Sequence, residues 1–167
     1  MKFIPPPLCS TVTTPLGAMV LAASDTGLVG AWFVGQRHAP DFSAWPSTPS
    51  PADHPTLATA AQQLQEYFRR QRLAFDLPLD LGRGTVFQQQ VWHALLDLPA
   101  GHTTTYGQLA ARLHRPLASR AIGAAVGRNP ISIVVPCHRV VGAQGRLTGY
   151  AGGLDKKVAL LQLERPL

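Results

Sequence analysis

Three groups able to move a proton or attack an electrophile occur near the C-terminal end of the sequence: a thiol at Cys137, an imidazole at His138 and a carboxylate at Glu164. A thiol becomes a strong nucleophile only as the thiolate, so what matters is whatever lowers its pKa. Cys137 lies in Pro136-Cys137-His138-Arg139, where imidazole and guanidinium are cationic neighbours expected to favour the thiolate. On an extended backbone adjacent side chains point to opposite sides, so His138 would reach Cys137 through a water or a bend. Glu164 would orient that imidazole, giving a carboxylate–imidazole–water–thiol relay with the logic of a hydrolytic triad. The residues alone leave plainer readings open: Cys137 as a small buried hydrophobe, and Glu164 as a solvated charge. A cysteine hydrolase would use the same Cys137 and His138.

The elements that must position these groups fall into two lobes, residues 1–82 and 83–167. In the first, residues 11–34 read as two or three antiparallel strands, punctuated by Pro15-Leu16-Gly17 and Asp25-Thr26-Gly27. Residues 36–55 hold five prolines among Ser, Thr and Asp and read as a loop or flexible linker. Residues 56–70 place Leu57, Ala60, Ala61, Leu64, Tyr67 and Phe68 at helical spacing, and Phe75-Asp76-Leu77 is a candidate edge strand. In the second lobe, Thr85 caps a helix carrying Phe87, Val91, Trp92, Leu95 and Leu96. Thr105 caps another over residues 106–113, and Ser119 a third to about Arg128. Two short helices joined by a tight break suggest a helix-turn-helix. Ala121, Gly123, Ala124, Ala125 and Gly127 make its second helix small-faced, able to approach another backbone closely. Asn129-Pro130 ends it, an apolar run over residues 131–135 leads into Cys137, and a last helix over residues 154–163 carries Glu164 at its end. The expected class is α+β: a small N-terminal antiparallel sheet with a helix, then a helical, winged-helix-like C-terminal domain.

Charge separates the lobes more sharply than secondary structure does. The 167 residues carry a formal net charge of +6. Residues 1–82 hold five basic and six acidic side chains, whereas residues 83–167 hold ten basic and three acidic, a balance of +7. The basic half is expected to meet a polyanion, most plausibly nucleic acid, and the first half to supply none of those contacts. The two cysteines, Cys9 and Cys137, are too few for a disulfide framework and lack zinc-site spacing. No apolar run suits a signal peptide or a membrane span, so a cytoplasmic, membrane-free protein is expected.

The segment Asn129-Pro130-Ile131-Ser132-Ile133-Val134-Val135-Pro136-Cys137-His138-Arg139-Val140-Val141 resembles the active-site segment of the O6-alkylguanine-DNA alkyltransferases, also called methylated-DNA–protein-cysteine methyltransferases. The resemblance continues through Phe87-Gln88-Gln89-Gln90-Val91-Trp92, Tyr106-Gly107-Gln108-Leu109-Ala110, Ser119-Arg120-Ala121-Ile122-Gly123 and Thr148-Gly149-Tyr150-Ala151-Gly152-Gly153-Leu154. It covers residues 87–164, and the first lobe is similar only in general layout. It implies a single-turnover repair reaction on double-stranded DNA bearing alkylated bases. Cys137 would accept the alkyl group from guanine O6, or from O4-alkylthymine, after deprotonation by His138 and Glu164 through a water. Asn129 would brace the active-site turn. Tyr106 would donate to guanine N3 and crowd a phosphate so that the nucleotide rotates out, and Arg120 would fill the gap left in the stack. The carbonyls of Cys137 and Val140 would accept from the guanine amino group, while Tyr150, Ala151 and Gly152 line the pocket. The resemblance also implies minor-groove docking by a monomer, with cooperative assembly on DNA left open.

Some positions depart from the family pattern. Ala151 stands where some relatives carry Ser, keeping the backbone amide. Ser119 replaces a common Ala and could add a cap or a phosphate contact, and Arg128 precedes Asn129 where small residues are usual, offering another phosphate contact. Relatives with a structural zinc use several Cys and His in the first lobe. Only Cys9, His38 and His54 are available here, so neither a metal nor a cofactor is expected. His93, His102 and His114 read as surface residues, Trp92 as a core anchor and Cys9 as a strand-packing residue.

Overall fold

A computed structural model describes residues 5–165; the N-terminal reading over residues 1–4 lies outside them. Strands β1 (Leu8–Thr14), β2 (Gly17–Ser24) and β3 (Gly27–Phe33) form an antiparallel sheet in the order β1-β2-β3. The first turn is fastened by Thr14, whose hydroxyl donates to Gly17 O and accepts from Leu16 N. Gly17 there adopts φ +113°, a backbone conformation side chains resist.

One face of the sheet packs on helix α1 (Pro55–Phe68), which buries Leu57, Ala60, Leu64 and Tyr67. The other face is covered by residues 36–55. That stretch is a packed layer, contrary to the flexible linker its composition suggests: Phe42 and Trp45 close over Trp32, with centroids 5.4 and 5.9 Å from its ring. With Cys9, Val20, Ala22 and Val29 they make a second small core, so aromatic burial offsets the ordering of a proline-rich chain. Both sheet edges are covered. Cys9 N donates to Pro46 O and Thr48 N to Cys9 O. On β3, Leu28 exchanges bonds with Pro78 and Asp80, and Ala31 with Pro130 and Ser132. The expected strand at residues 75–77 does not form, because Gln63 takes both backbone groups of Asp76, donating to its carbonyl and accepting from its amide. The chain reaches β3 two residues later instead.

Four more helices follow among the described residues: α2 (Val86–Leu96), α3 (Tyr106–Arg112), α4 (Ser119–Gly127) and α5 (Leu154–Leu163). Thr85 and Thr105 cap α2 and α3 in full capping boxes, each reciprocated by the side chain of Gln88 or Gln108. Ser119 does not cap α4. The chain enters through Ala118 at φ −93°, ψ 18°, already close to helical, so Ser119 falls inside the first turn where its hydroxyl meets no free cap position. Trp92 is fully buried between α2 and α4, its Nε1 donating to Ala125 O at 2.9 Å. His93, His102 and His114 are exposed. Strands β4 (Thr104–Thr105) and β5 (Val140–Val141) pair in parallel, joining the start of α3 to the segment after Cys137. One apolar core runs from Met19 and Phe33 through Trp92 to Leu160, and no helix among the described residues is long and apolar enough to cross a membrane.

Candidate active site

The reactive segment begins where α4 ends. Ala31 of β3 accepts the chain at Pro130 and Ser132, and residues 131–135 then turn sharply, with Ile133 at φ +74°. Asn129 holds this turn from inside: Ile131 N donates to its Oδ1 at 3.0 Å, and its Nδ2 donates to Val135 O at 2.8 Å and to Cys137 Sγ at 3.0 Å. Cys137–Arg139 form a single 3-10 turn instead of extended chain, so His138 and Arg139 both swing beneath Cys137 into the interior.

There they meet Glu164, the residue closing α5, which is 2% exposed and not a surface charge. Its Oε1 accepts from Tyr67 Oη, His138 Nε2 and Arg139 Nη2, each at 2.8 Å, and its Oε2 from Arg139 Nε at 2.8 Å. Burial opposes ionisation of this carboxyl, but the hydrogen bonds from His138 and Arg139 and their charges hold it at about 2. An ionised carboxylate only accepts, so His138 must carry its proton on Nε2. Burial pushes the His138 pKa down despite Glu164, so the imidazole is neutral. Its Nδ1 is buried with no hydrogen-bond partner among the described residues, leaving a lone pair free to receive a proton.

The electrostatics of the thiol differ from the sequence expectation. Burial pushes the Cys137 pKa up, against the opposing effects of the Asn129 hydrogen bond and the Lys157 charge. Neither expected cation acts on it: His138 is neutral, and Arg139 is turned to Glu164 and the Leu98 carbonyl. The resting group is therefore a thiol that must be deprotonated on demand. The cation facing it is Lys157, fully buried on α5, whose ammonium donates to the carbonyls of Val140 (2.6 Å), Thr148 (2.7 Å) and Gly149 (3.1 Å). Burial lowers its pKa to about 8.

Cys137 opens onto a cavity of about 590 Å³, within the range of small-ligand sites. Tyr106, Tyr150, Ala151 and Gly149 line it together with Gly123, Ala124 and Gly127 of the small-faced α4 and Arg128 just past its end. The Tyr106 ring lies 3.7 Å from where a Cβ on Gly123 would stand, so the small residues leave room for that phenol. Gly152 lies just behind the wall; a Cβ there would come within 2.8 Å of the Tyr150 ring. Val140 is fully buried behind Cys137. Ser119 and Arg120 are at the far end of α4, away from the cavity lining, with Arg120 exposed.

The first half, expected to supply neither the thiol nor a DNA contact, brings three groups to the site. Arg37 and His38 stand at the cavity rim, tied to the far wall by Arg37 N donating to Ala151 O at 3.0 Å, and Tyr67 reaches Glu164. Sequence reasoning also passed over Lys157. Its signal was its position: Lys157, Leu160 and Glu164 share one face of α5 by helical spacing, a row in which an acid and a base flank a core leucine.

Two family models match the chain: "6-O-methylguanine DNA methyltransferase, ribonuclease-like domain" over residues 8–81 and "6-O-methylguanine DNA methyltransferase, DNA binding domain" over residues 86–166. The methylated-DNA–protein-cysteine methyltransferase of Mycolicibacterium paratuberculosis is 47% identical over 155 residues, covering 93% of this chain and 90% of the relative. The constitutive protein of that description from Bacillus subtilis is 43% identical, covering 93% and 94%. The crystal structure of Mycobacterium tuberculosis OGT in complex with DNA superposes with a TM-score of 0.85 at 43% identity, covering 95% of this chain and 92% of that one. The matched segments span both lobes and every group in the buried relay, and the chain belongs to the 6-O-methylguanine DNA methyltransferase family.

Proposed function

We propose that this chain repairs alkylated double-stranded DNA by transferring the alkyl group from guanine O6, and by the same chemistry from thymine O4, irreversibly to Cys137. The observation that carries the reading is the neutral His138 with Nε2 fixed on Glu164 and Nδ1 buried without a hydrogen-bond partner among the described residues, adjacent in sequence to a thiol held in its protonated form. A water between Nδ1 and Sγ would pass the thiol proton to His138. The thiolate then displaces guanine from the alkyl carbon: the S–C bond forms as the C–O bond breaks. Tyr106, at the cavity wall, donates a hydrogen bond to N3 of the departing base and so meets its developing negative charge, while the proton taken from the thiol, held on His138, balances the released guanine. The imidazolium is stabilised by ionised Glu164. The thioether is stable, so each molecule reacts once.

A base inside duplex DNA is out of reach of a cavity of this shape, so the nucleotide must rotate out. In this reading α4 enters the minor groove, where its small face permits close approach. Arg120 fills the vacated stack, Ser119 and Arg128 contact phosphates, and Val140, Tyr150, Ala151 and Gly152 form the base pocket. The division at residues 82 and 83, a monomer that can assemble cooperatively on DNA, and a cytoplasmic setting belong to the same proposal. The family membership and the DNA-bound relative support it.

The test is to incubate the protein with duplex DNA containing O6-methylguanine and seek, by mass spectrometry, one methyl group on Cys137 per molecule. Cys137→Ser should bind the DNA and not transfer. Arg120→Ala should weaken binding and nucleotide extrusion. Absence of the adduct overturns the proposal, and sustained turnover of an ester or amide would instead identify a cysteine hydrolase.

A further inference from the structure

Glu164 draws hydrogen bonds from both halves of the chain, and the one from the first half has no role in the reaction sequence above. Tyr67 lies on α1, fully buried, with its Oη 2.8 Å from Glu164 Oε1 across 97 residues of sequence. Its ring is held by Phe68 and Phe75, each with a centroid 5.5 Å away. The oxygen it chooses matters: Oε1 is the atom that receives His138 Nε2, whereas Oε2 accepts from Arg139 Nε. Tyr67, His138 and Arg139 therefore compete for one acceptor.

We propose that Tyr67 is a positioning residue for alkyl transfer, acting through Glu164 to limit the basicity of His138. The proposal rests on the Glu164–His138–water–Cys137 relay. Hydrogen bonds donated to a carboxylate spread its charge, and each donor weakens the hold of the others. With Tyr67 in place, Glu164 stabilises the imidazolium less than a bare carboxylate would, and His138 stays neutral to lower pH. Burial raises the Tyr67 pKa well above the ordinary phenol value, so the group remains a donor throughout. The other charges facing the pair are Arg139 from the 3-10 turn and Lys157 from α5, both of which disfavour a charged His138. Neither is altered by removing the Tyr67 oxygen. The N-terminal half thereby sets the pH range in which the C-terminal thiol can be activated.

The experiment measures the single-turnover rate of methyl transfer to the full-length protein from duplex O6-methylguanine DNA across the acid limb of the pH profile. Tyr67→Phe removes only the phenol oxygen. The acid limb is expected to move to higher pH by about half a unit, a loss of about threefold at a pH on the limb, with recovery on the plateau. Phe75→Leu loosens the ring packing and retains the hydroxyl, and is expected to leave the limb in place. Glu164→Gln removes the charge and should move the limb the opposite way with a lower plateau. His138 protonation followed by NMR in DNA-free Tyr67→Phe protein reads the same shift without requiring turnover. A Tyr67→Phe profile that is unchanged or lowered uniformly, while Glu164→Gln moves the limb, overturns the role of Tyr67 and leaves the relay standing. If neither Glu164→Gln nor His138→Gln alters the profile, the relay itself fails, and this inference with it.

Discussion

Replacing Asn129 by alanine tests how much of the site depends on one carboxamide. Its Oδ1 is the acceptor for Ile131 N at 3.0 Å, and its Nδ2 donates to Val135 O at 2.8 Å and Cys137 Sγ at 3.0 Å, all buried. With alanine the Ile131 amide is left buried without that acceptor, at a cost of about 2 kcal/mol. Val135 O keeps the Cys137 amide as a donor, so the second loss is an ordinary hydrogen bond of about 1 kcal/mol. The combined loss is about 3 kcal/mol, which for a chain of this size lowers Tm by roughly 9 °C. The thiol also loses the hydrogen bond that most opposes its raised pKa, so the pKa climbs further and transfer near neutral pH slows, about tenfold for each unit of rise. Urea unfolding gives the first quantity and single-turnover transfer at a temperature where the variant is folded gives the second. Asn129→Asp separates them, because it keeps an acceptor for Ile131 and sets a carboxylate beside the sulfur: stability should be retained better than activity. A stability loss below about 1 kcal/mol for Asn129→Ala, or an unchanged transfer rate, would refute the reasoning.

Stability should fall on acidification. Below about 6.5 the unfolded chain takes up a proton on His138 that the buried native imidazole resists. Below 4.5 it takes up one on Glu164 that the native carboxylate refuses until about 2. A urea midpoint that is flat from pH 7.5 to 4 counts against this. Lys157 acts in the same sense in an alkaline window: the native group gives up its charge at about 8 and the unfolded one at 10.5, so stability rises with pH there too. Its burial penalty is therefore complete below 8 and is relieved between 8 and 10.5; Lys157→Met should abolish that component of the pH-dependence, read from midpoints of both proteins. Gly30→Ala would set a Cβ 1.7 Å from the Trp32 ring, displacing the aromatic layer of the second small core, to which Cys137 does not belong. It should cost about 1–3 kcal/mol in unfolding while the transfer rate of the folded protein is unchanged.

The chemistry-bearing residues were legible because their types are rare in so plain a composition, and the helices because apolar spacing and threonine caps agreed. What escaped the sequence depended on partners far along the chain. Ser119 has the right type for a cap but enters on a backbone already turned toward helix. Residues 36–55 read as loose because Pro and Ser dominate, whereas Phe42 and Trp45 decide their packing. The protonation state of Cys137 was misjudged for a related reason: adjacency in sequence suggested cations beside the sulfur, and the 3-10 turn carries both of them away to Glu164. Tyr67 looked like one more apolar position of α1, since nothing local marks a phenol that meets a carboxylate 97 residues later.

The backbone bonds between Ala31 and the chain at Pro130 and Ser132 have a consequence for the behaviour of the molecule among its own copies. A three-stranded sheet ordinarily offers two rows of unpaired amides and carbonyls on which another chain can template itself. Here one margin is taken by the proline-bounded segment at residues 46–48, and the other is shared by residues 78–80 and the segment leading to the thiol. A lesion that loosens the reactive segment therefore also uncovers a margin for self-association, so loss of repair capacity and loss of solubility are coupled through the same few peptide groups.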